Sequence, residues 1–388
     1  TMNLLEGAKY IIKKLKDNGY EAYIVGGYVR DYLLGIKSTD IDIATNAHPD
    51  VVASLFPKTI LTGIKHGTVT VVIDKKQYEV TTFRADGDYL DKRRPDQVTY
   101  VSDLMTDVLR RDFTMNALAL TIDEQIIDYV GGINDIRKKI IRTVGNPYER
   151  FNEDALRMLR VFRFVSQLGF AVEEETLKAL KTHRALIKYI SKERIIMEIT
   201  KLVLGKYFHD AIILMVETKF YESIDFLSQG LDLILSTKYQ PNDLTDFLTF
   251  LSVIGNYETI MNLPIANVIK KAITDVYQMY SLEINEFSNP LLFRQGLSAC
   301  LLTNKLNHYL RNLPDKQEEL KKQYEQLPIK RICDLAYKGS DLIIRYPERK
   351  GPWIGDMLDE ICLKILLGEL KNDYHEIERY VEEKVKLT

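Results

Sequence analysis

The sequence predicts an α+β fold class: a domain with a mixed sheet at the N-terminal end, followed by a long all-helical remainder. Three observations carry that reading. Short apolar stretches with strand-like alternation are confined to the part before residue 150 or so. Eleven of the 20 glycines fall in that part, although it is well under half of the 388 residues. From "NPYERFNEDALRML" onward the apolar spacing becomes 3.6-like and Pro and Gly breaks are sparse.

The strands are read in order as "AYIVGG" (22–27), "DIDIA" (40–44), "GTVTVVID" (67–74), "QYEVTTF" (77–83) and "ALALTI" (117–122), with "DLMTDVLRRD" (103–112) as a helix among them. Strands interrupted by single helices, then helices alone, make an α+β pattern. A chain of 388 residues exceeds what one core serves, so two to four domains are expected, and 46% hydrophobic residues supply their interiors. No internal repeat, heptad run or low-complexity linker interrupts the chain.

No apolar run approaches the roughly eighteen residues of a membrane span, and "TMNLLEGAKYIIKK" lacks the order of a secretory signal. A cytoplasmic protein that does not engage membranes is expected. Cys300, Cys333 and Cys362 are too few and scattered for a disulfide framework and are expected to be buried, reduced thiols. A net charge of -2 excludes indiscriminate binding to nucleic acid but not local basic patches. "IRKKIIR" (136–142) and "KALKTHRALIK" (178–188) are two candidates, each equally readable as a solvated helix face.

"STDIDIA" places Asp40 and Asp42 at i and i+2 in an expected strand, where alternation points both to one face, about 6.6 Å apart. Two such carboxylates can share a metal, and hard oxygen ligands suit Mg²⁺, which one or two carboxylates and phosphate oxygens hold. Glu79 in "QYEVTTF" is a third acid if its strand neighbours the first. The alternative is an acidic pair that keeps an exposed sheet edge soluble. Upstream, "IVGGYVRDYLLG" reads as a strand, then Gly26 and Gly27, then a helix bearing Arg30. Glycines at such a turn let backbone amides and the helix dipole meet a phosphate. The alternative there is a tight turn with Arg30 paired to Asp31 or Asp40. Neither a Walker loop nor a dinucleotide fingerprint is present. "VLRRDFTMNA" adds Arg110, Arg111, Asp112 and Asn116, of which arginines suit triphosphate oxygens and an acid or amide suits ribose hydroxyls.

In "NEDALRMLRVFRF" (152–164), Asp154, Arg157, Arg160 and Arg163 recur at three-residue steps. On a helix each step turns the side chain by roughly 60°, giving one slowly winding polar stripe. Ala155, Leu156, Met158, Leu159, Val161, Phe162 and Phe164 cover most of the circumference, so the stripe is expected to line an internal cleft or to pair fully. A surface salt bridge between Asp154 and Arg157 is the alternative, worth a few tenths of a kcal/mol.

Together, "GGYVRDYLLG", "TDIDIA", "YEVTTF", "RRDFTMNA" and "EDALRMLRVFRF", in this order and spacing, closely resemble the class II tRNA nucleotidyltransferases, the CCA-adding enzymes of bacteria and eukaryotes, within the nucleotidyltransferase and poly(A) polymerase superfamily. The match is specific over 20–165, and "LPIK", "YKGSDLI" and "GPWIGDMLDEI" extend a weaker likeness to the C-terminus. The resemblance implies a nucleotidyltransferase head with a polymerase β-like palm at 1–150 and a helical neck with base recognition at 151–205. A helical body at 206–320 and a tRNA-binding tail at 321–388 follow. It implies Asp40 and Asp42 as Mg²⁺ ligands and Glu79 as the third catalytic carboxylate. Gly27, Arg30 and Arg111 would meet the nucleotide phosphates, Asp112 the ribose, and Asp154, Arg157, Arg160 and Arg163 the incoming nucleotide. The segment "RADGDYLDKRRPDQV" (84–98), charged and short of apolar anchors, matches a flexible loop that switches the family's site from C to A.

Base chemistry gives the stripe a purpose. Cytosine and adenine both present an amino donor beside a ring-nitrogen acceptor, whereas guanine and uracil present an acceptor and then a donor. An aspartate beside an arginine therefore fits C and A, and each pairing should discriminate by about 1–3 kcal/mol. The expected activity is template-independent addition of C, C and A to the tRNA 3′ end from CTP and ATP, with two Mg²⁺ ions activating the RNA hydroxyl for in-line attack and pyrophosphate leaving. Rival readings are a bacterial poly(A) polymerase, a partial CC- or A-adding enzyme, and a catalytically inactive nucleotide or RNA binder, for which the carboxylate pair would be broken. His66 is read as a turn residue or one that supports the site, His209 with Asp210 as structural, and Trp353 as a core anchor of the tail, with stacking on RNA as the alternative.

Overall fold

The computed structural model describes residues 1–85, 98–349 and 351–388, so most of the charged segment at 84–98 lies outside the described residues. The chain divides into two compact units, 1–235 with 240–243 and 236–239 with 244–388.

The first unit opens with α1 (Leu4–Asp17), β1 (Ala22–Val25), α2 (Gly27–Leu34), β2 (Asp42–Thr45), α3 (Pro49–Leu55), β3 (Thr59–Ile60), β4 (Thr68–Ile73) and β5 (Lys76–Thr82). A short ribbon, β6 (Arg84–Ala85) with β7 (Thr99–Tyr100), precedes α4 (Leu104–Leu109), β8 (Leu118–Leu120), β9 (Ile126–Asp128) and α5 (Gly132–Lys138). Seven strands form one mixed sheet in the order β3-β4-β5-β2-β1-β8-β9. All neighbours are antiparallel except β2 and β5, which run parallel with Asp42 opposite Glu79. The α+β class with a mixed sheet is therefore observed, and the five strands read from the sequence are all in it.

Local chemistry explains the elements that frame the sheet. α1 starts at a capping box, in which Asn3 accepts from the Glu6 N–H (2.9 Å) and the Glu6 carboxylate accepts from the Asn3 N–H (2.7 Å). Its residues Ala8, Ile11, Ile12 and Leu15, at helical spacing, are fully buried. The two-residue turn joining β4 to β5 puts Asp74 and Lys75 at φ 49° and 66°, the twist that hairpins favour. Leu104 and Val108, one turn apart on α4, pack with Val25, Ala44, Phe83 and Ala119 in a core on the sheet.

β10 (Ile140–Ile141) pairs in parallel with β11 (Ala171–Val172) and ties the sheet region to the helices that follow: α6 (Pro147–Glu153), α7 (Leu156–Leu168), α8 (Glu174–His183), α9 (Lys192–Val203) and α10 (Phe208–Glu217). α7 is the buried axis of this group and packs on α9 and α10. At the turn from α9 to α10, a Cβ on Gly205 would fall 2.0 Å from Ser166 Oγ, so only glycine admits so close an approach to α7. The basic stretch 136–142 spans the end of α5 and β10, where Arg142 pairs with Asp135 (3.1 Å), while in the stretch 178–188 Lys178 pairs with Glu174 and Glu175 on the surface.

Among the described residues of the second unit every regular element is a helix, including Leu244–Leu251, Asn267–Ser281, Leu297–Arg311, Trp353–Leu366 and Tyr374–Lys386. Leu292, Cys300, Leu342, Ile361, Ile377 and Val381 belong to its core, and Trp353 packs against that cluster edge-on to Tyr346, as an anchor should. Cys300 and Cys362 are buried free thiols; Cys333 is exposed, which corrects the expectation that all three are buried. No helix among the described residues is long and apolar enough to cross a membrane.

Candidate active site

A cleft of about 740 Å³ opens between the sheet and α7, lined by Gly26, Asp42, Asp112 and Asp154 and by eight arginines at 30, 84, 110, 111, 157, 160, 163 and 194. Its size suits a small-molecule ligand. Most of the eight guanidinium groups are paired with carboxylates, Asp112 and Asp154 in the wall and Asp31, Asp107, Glu153 and Glu198 behind it, so the cleft presents many N–H donors held in place by these anions.

At one wall β1 turns into α2 through Gly26, whose φ of 76° and ψ of -148° are a conformation side chains avoid. A Cβ there would sit 3.6 Å from Asp42 Oδ2 and 3.8 Å from Arg111 Nη1, so the backbone of Gly26 lies beside both the carboxylate and the cation. Gly27 and the α2 N-terminus face the same space. Arg30, one turn on, donates to Asp31 (3.0 Å) and to Asn116 (2.7 Å). The pair with Asp31 considered from the sequence therefore forms, and Arg30 still lines the cleft.

The carboxylates are arranged differently from a simple strand pair. β2 begins at Asp42, so Asp40 stands just ahead of the strand rather than within it, in the approach at 38–41. Asp40 and Asp42 share a smaller adjoining cavity of about 300 Å³ with Gly27 and Arg30. Glu79 reaches the same region through the parallel β2–β5 register, which sets it opposite Asp42. Asp42 is exposed to the cleft, yet the protein around it strips its carboxyl of solvent. That desolvation, with Glu79 and Asp40 adding like charge against the opposing Arg111, raises its pKa to about 6. Such crowding of anions fits a hard divalent cation. Among the described residues no group of three or more His, Cys, Asp or Glu is placed to hold a metal; the carboxylates that share a cavity here are Asp40, Asp42 and Asp31, the last of them paired with Arg30.

Two of the arginines hang from one buried carboxylate. Asp107, 1% exposed, accepts from Arg110 (3.4 Å), Arg111 (3.1 Å) and the backbone N–H of Arg84 (3.0 Å). Asp112 is bonded to the Phe113 N–H (2.8 Å) and paired with Arg160. Burial opposes its ionisation, but Arg160, that N–H, Arg157 and Arg163 outweigh burial and hold its pKa below the usual carboxylate value. The Nε atoms of Arg111, Arg160 and Arg163 are buried with no hydrogen-bond partner among the described residues, donors that an anionic ligand would satisfy.

The stretch 152–164 departs from the single helix expected. α6 ends at Glu153, Asp154 takes an extended conformation (φ -144°, ψ 103°), and α7 begins at Leu156. Asp154 Oδ1 accepts the N–H of Leu156 (3.2 Å), the short-range bond by which aspartate competes with the helical backbone. Asp154 and Arg157 are thus joined through the backbone, Arg157 N–H to Asp154 C=O (3.1 Å), rather than stacked as helical neighbours. Their side chains pair elsewhere: Asp154 with Arg194 (2.8 Å) and Arg157 with Glu153 (2.8 Å). Both line the cleft, as do Arg160 and Arg163. Arg163 is buried and donates to Glu198 (2.9 Å) while its guanidinium lies 4.3 Å from the Phe164 ring centroid. Burial and the nearby Arg160 charge push its pKa below the ordinary arginine value.

Glu198→Ala leaves that buried cation unpaired, and a loss of stability of about 3 kcal/mol is expected, read as a lowered midpoint in urea unfolding. Glu198→Leu combined with Arg163→Met should recover most of it; an unchanged midpoint in Glu198→Ala would show that the pair does not hold α7 to α9.

Of the expected site residues, the structure gathers Gly27, Arg30, Asp42, Arg111, Asp112, Asp154, Arg157, Arg160 and Arg163 around one cleft, with Asp40 in the adjoining cavity and Glu79 across the strand register. Sequence reasoning missed Arg194, Arg84 and Asp107. Asp107 stands between Asp103, which caps α4, and Arg111, in a stretch read only as a helix; Arg194 lies 40 residues beyond its partner and carries no local signal.

A model of the poly A polymerase head domain matches residues 22–142, one of a probable RNA and SrmB-binding site of polymerase A matches 169–225, and one of tRNA nucleotidyltransferase domain 2 matches 233–381. The chain is 40% identical over 398 residues to the CCA-adding enzyme of Geobacillus kaustophilus, covering 98% of this chain and 97% of the relative. It is 40% identical over 383 residues to the CCA-adding enzyme of Bacillus pumilus, covering 96% and 95%. Among solved structures, the Bacillus stearothermophilus CCA-adding enzyme in complex with CTP matches with a TM-score of 0.81 and 36% identity over 100% of this chain and 99% of that one.

Proposed function

Because the chain belongs to the family of CCA-adding enzymes, tRNA nucleotidyltransferases, we propose that it adds C, C and A to the 3′ end of tRNA from CTP and ATP. It uses no nucleic-acid template and acts in the cytoplasm. The observation that carries this reading is the single cleft in which Asp42, the Gly26 turn, the arginines and the Asp154–Arg157 couple meet.

The tRNA 3′-hydroxyl oxygen attacks the nucleotide α-phosphorus, a new phosphodiester bond forms, and the bond to the bridging oxygen breaks as pyrophosphate leaves. Arg30, Arg110 and Arg111 face the triphosphate, and the α2 N-terminus adds its positive dipole end. Asp40 and Asp42, with Glu79 beside them, would hold Mg²⁺, which when bound neutralises charge on the phosphates and acidifies the attacking hydroxyl. Asp112 meets the ribose. Asp154 accepts from the base amino group and Arg157 donates to the ring nitrogen, so the pair admits C and A and rejects U and G. In the same reading 1–150 is the catalytic head, 151–205 the neck that reads the base, 206–320 the body and 321–388 the tail that grips tRNA by shape and backbone.

Supplying labelled CTP and ATP, singly and together, to tRNA lacking its 3′-terminal CCA tests the reading. Two cytidines from CTP alone and a completed CCA from the mixture are expected. Runs of adenosine from ATP alone would point instead to a poly(A) polymerase, and addition of C only or A only to a partial enzyme.

A further inference from the structure

Asp154 stands in an extended break between two helices, where a free carboxylate could take several rotamers. Its three bonds leave it one orientation. Oδ1 accepts from the Leu156 N–H (3.2 Å) and from Arg194 Nη1 (3.3 Å), and Oδ2 accepts from Arg194 Nη2 (2.8 Å). A carboxylate offers about four lone-pair sites, so the fork of Arg194 and the backbone fill three and leave one, on Oδ2.

Arg194 is itself held firmly. It sits on the first turn of α9, which Ser191 caps and which Ile195, Ile196, Ile199 and Leu202 bury. One turn on, Glu198 of the same helix takes Arg163 of α7. α9 therefore grips the reading segment at two points, and its Arg194 fork faces the cleft beside Asp154.

We propose that Arg194 is a positioning residue for nucleotide selection: it orients Asp154 so that one lone pair of Oδ2 is presented to the amino group of the incoming base. The inference rests on the reading that Asp154 and Arg157 recognise the base edge. An aspartate freed from the fork can rotate, and a rotated acceptor no longer penalises a base that offers an acceptor of its own.

The test measures kcat and KM for CTP, ATP, UTP and GTP with tRNA lacking its CCA end, in the full-length protein and in Arg194→Gln, Arg194→Lys and Asp154→Asn variants. Arg194→Gln is expected to narrow the CTP-over-UTP and ATP-over-GTP ratios of kcat/KM on the order of tenfold. Arg194→Lys, which keeps the charge but only a single donor point, should recover part of that loss. In an Asp154→Asn background the Arg194 substitution should change the ratios no further, because the residue it positions is already altered.

A fall in kcat/KM that is equal for all four nucleotides would make Arg194 a phosphate contact or a mere support and overturn the proposal. Undiminished selectivity in Arg194→Gln would overturn it as well. If Arg194→Gln does not fold, the Lys variant alone decides, and ratios equal to those of the unsubstituted protein count against the proposal. Failure of the underlying reading looks different: Asp154→Asn would then keep full C and A selectivity whatever stands at position 194.

Discussion

Replacing Asp42 with asparagine is expected to lower nucleotide incorporation by about 10³-fold or more while leaving the fold intact, because it removes a carboxylate from the point where phosphate charge must be neutralised. Asp42 is exposed to the cleft at the start of β2, and its strand neighbours Ile43 and Ala44, which are buried, do not change. The variant should also differ in its response to pH. The Asp42 carboxyl titrates at about 6 in the folded protein, above the ordinary value of 3.8, so the native state holds a proton there that the unfolded chain has released. Its contribution to stability is fully present below pH 3.8 and is lost as pH rises through about 6. In metal-free buffer the unfolding midpoint of the unsubstituted protein should therefore fall across that window, and Asp42→Asn should lack this part of the slope. Added Mg²⁺ should raise the midpoint of the unsubstituted protein above pH 6 and leave that of the variant nearly unmoved. A folded Asp42→Asn protein that still incorporates CTP at the original rate would remove Asp42 from the reaction.

The second large effect concerns which base is accepted. Exchanging the charges outright, arginine at 154 and glutamate at 157, would set like charges against Arg194 and Glu153, the partners those positions hold at 2.8 Å. The structure favours a neutral exchange. In Asp154→Asn the amide oxygen is expected to stay at the Oδ1 place, where the Leu156 N–H and Arg194 Nη1 both demand an acceptor, and the nitrogen at the Oδ2 place loses the bond from Arg194 Nη2 and offers a donor to the base. Alone this should erode discrimination by about 5- to 100-fold without reversing it, since Arg157 still requires an acceptor on the ring. Combined with Arg157→Gln, which supplies an acceptor without opposing Glu153, preference should move towards UTP and GTP. Single-nucleotide incorporation assays with each of the four triphosphates report this directly, and unaltered preference in the double variant would dispose of base reading by these side chains.

Much of this site was legible because its parts lie on elements with strong periodicity. The alternation in "GTVTVVID" and "QYEVTTF" gives β4 and β5, and the glycine pair after "AYIV" marks the β1–α2 turn. Less legible was whatever depends on contacts between distant segments. The parallel pairing that sets Glu79 opposite Asp42 follows from sheet order, which no local pattern encodes. The break at Asp154 was hidden because "NEDALRML" has a good helical period; the Asp154 side chain there accepts from the Leu156 N–H and from Arg194 of a distant helix, contacts that periodicity does not register. The short strands β3, β6 and β7, of two residues each, carry too little pattern to be read.

Asp107 secures Arg110, Arg111 and the backbone at Arg84 from one buried position. The two side-chain attachments to a single anion are not free to drift separately over evolutionary time, whereas position 84, held through its backbone N–H, is. Among descendants and relatives of this chain, an altered residue at 107 should appear together with changes at 110 and 111, and a homologue carrying a neutral residue there beside both arginines unchanged would mark a lineage released from nucleotide transfer.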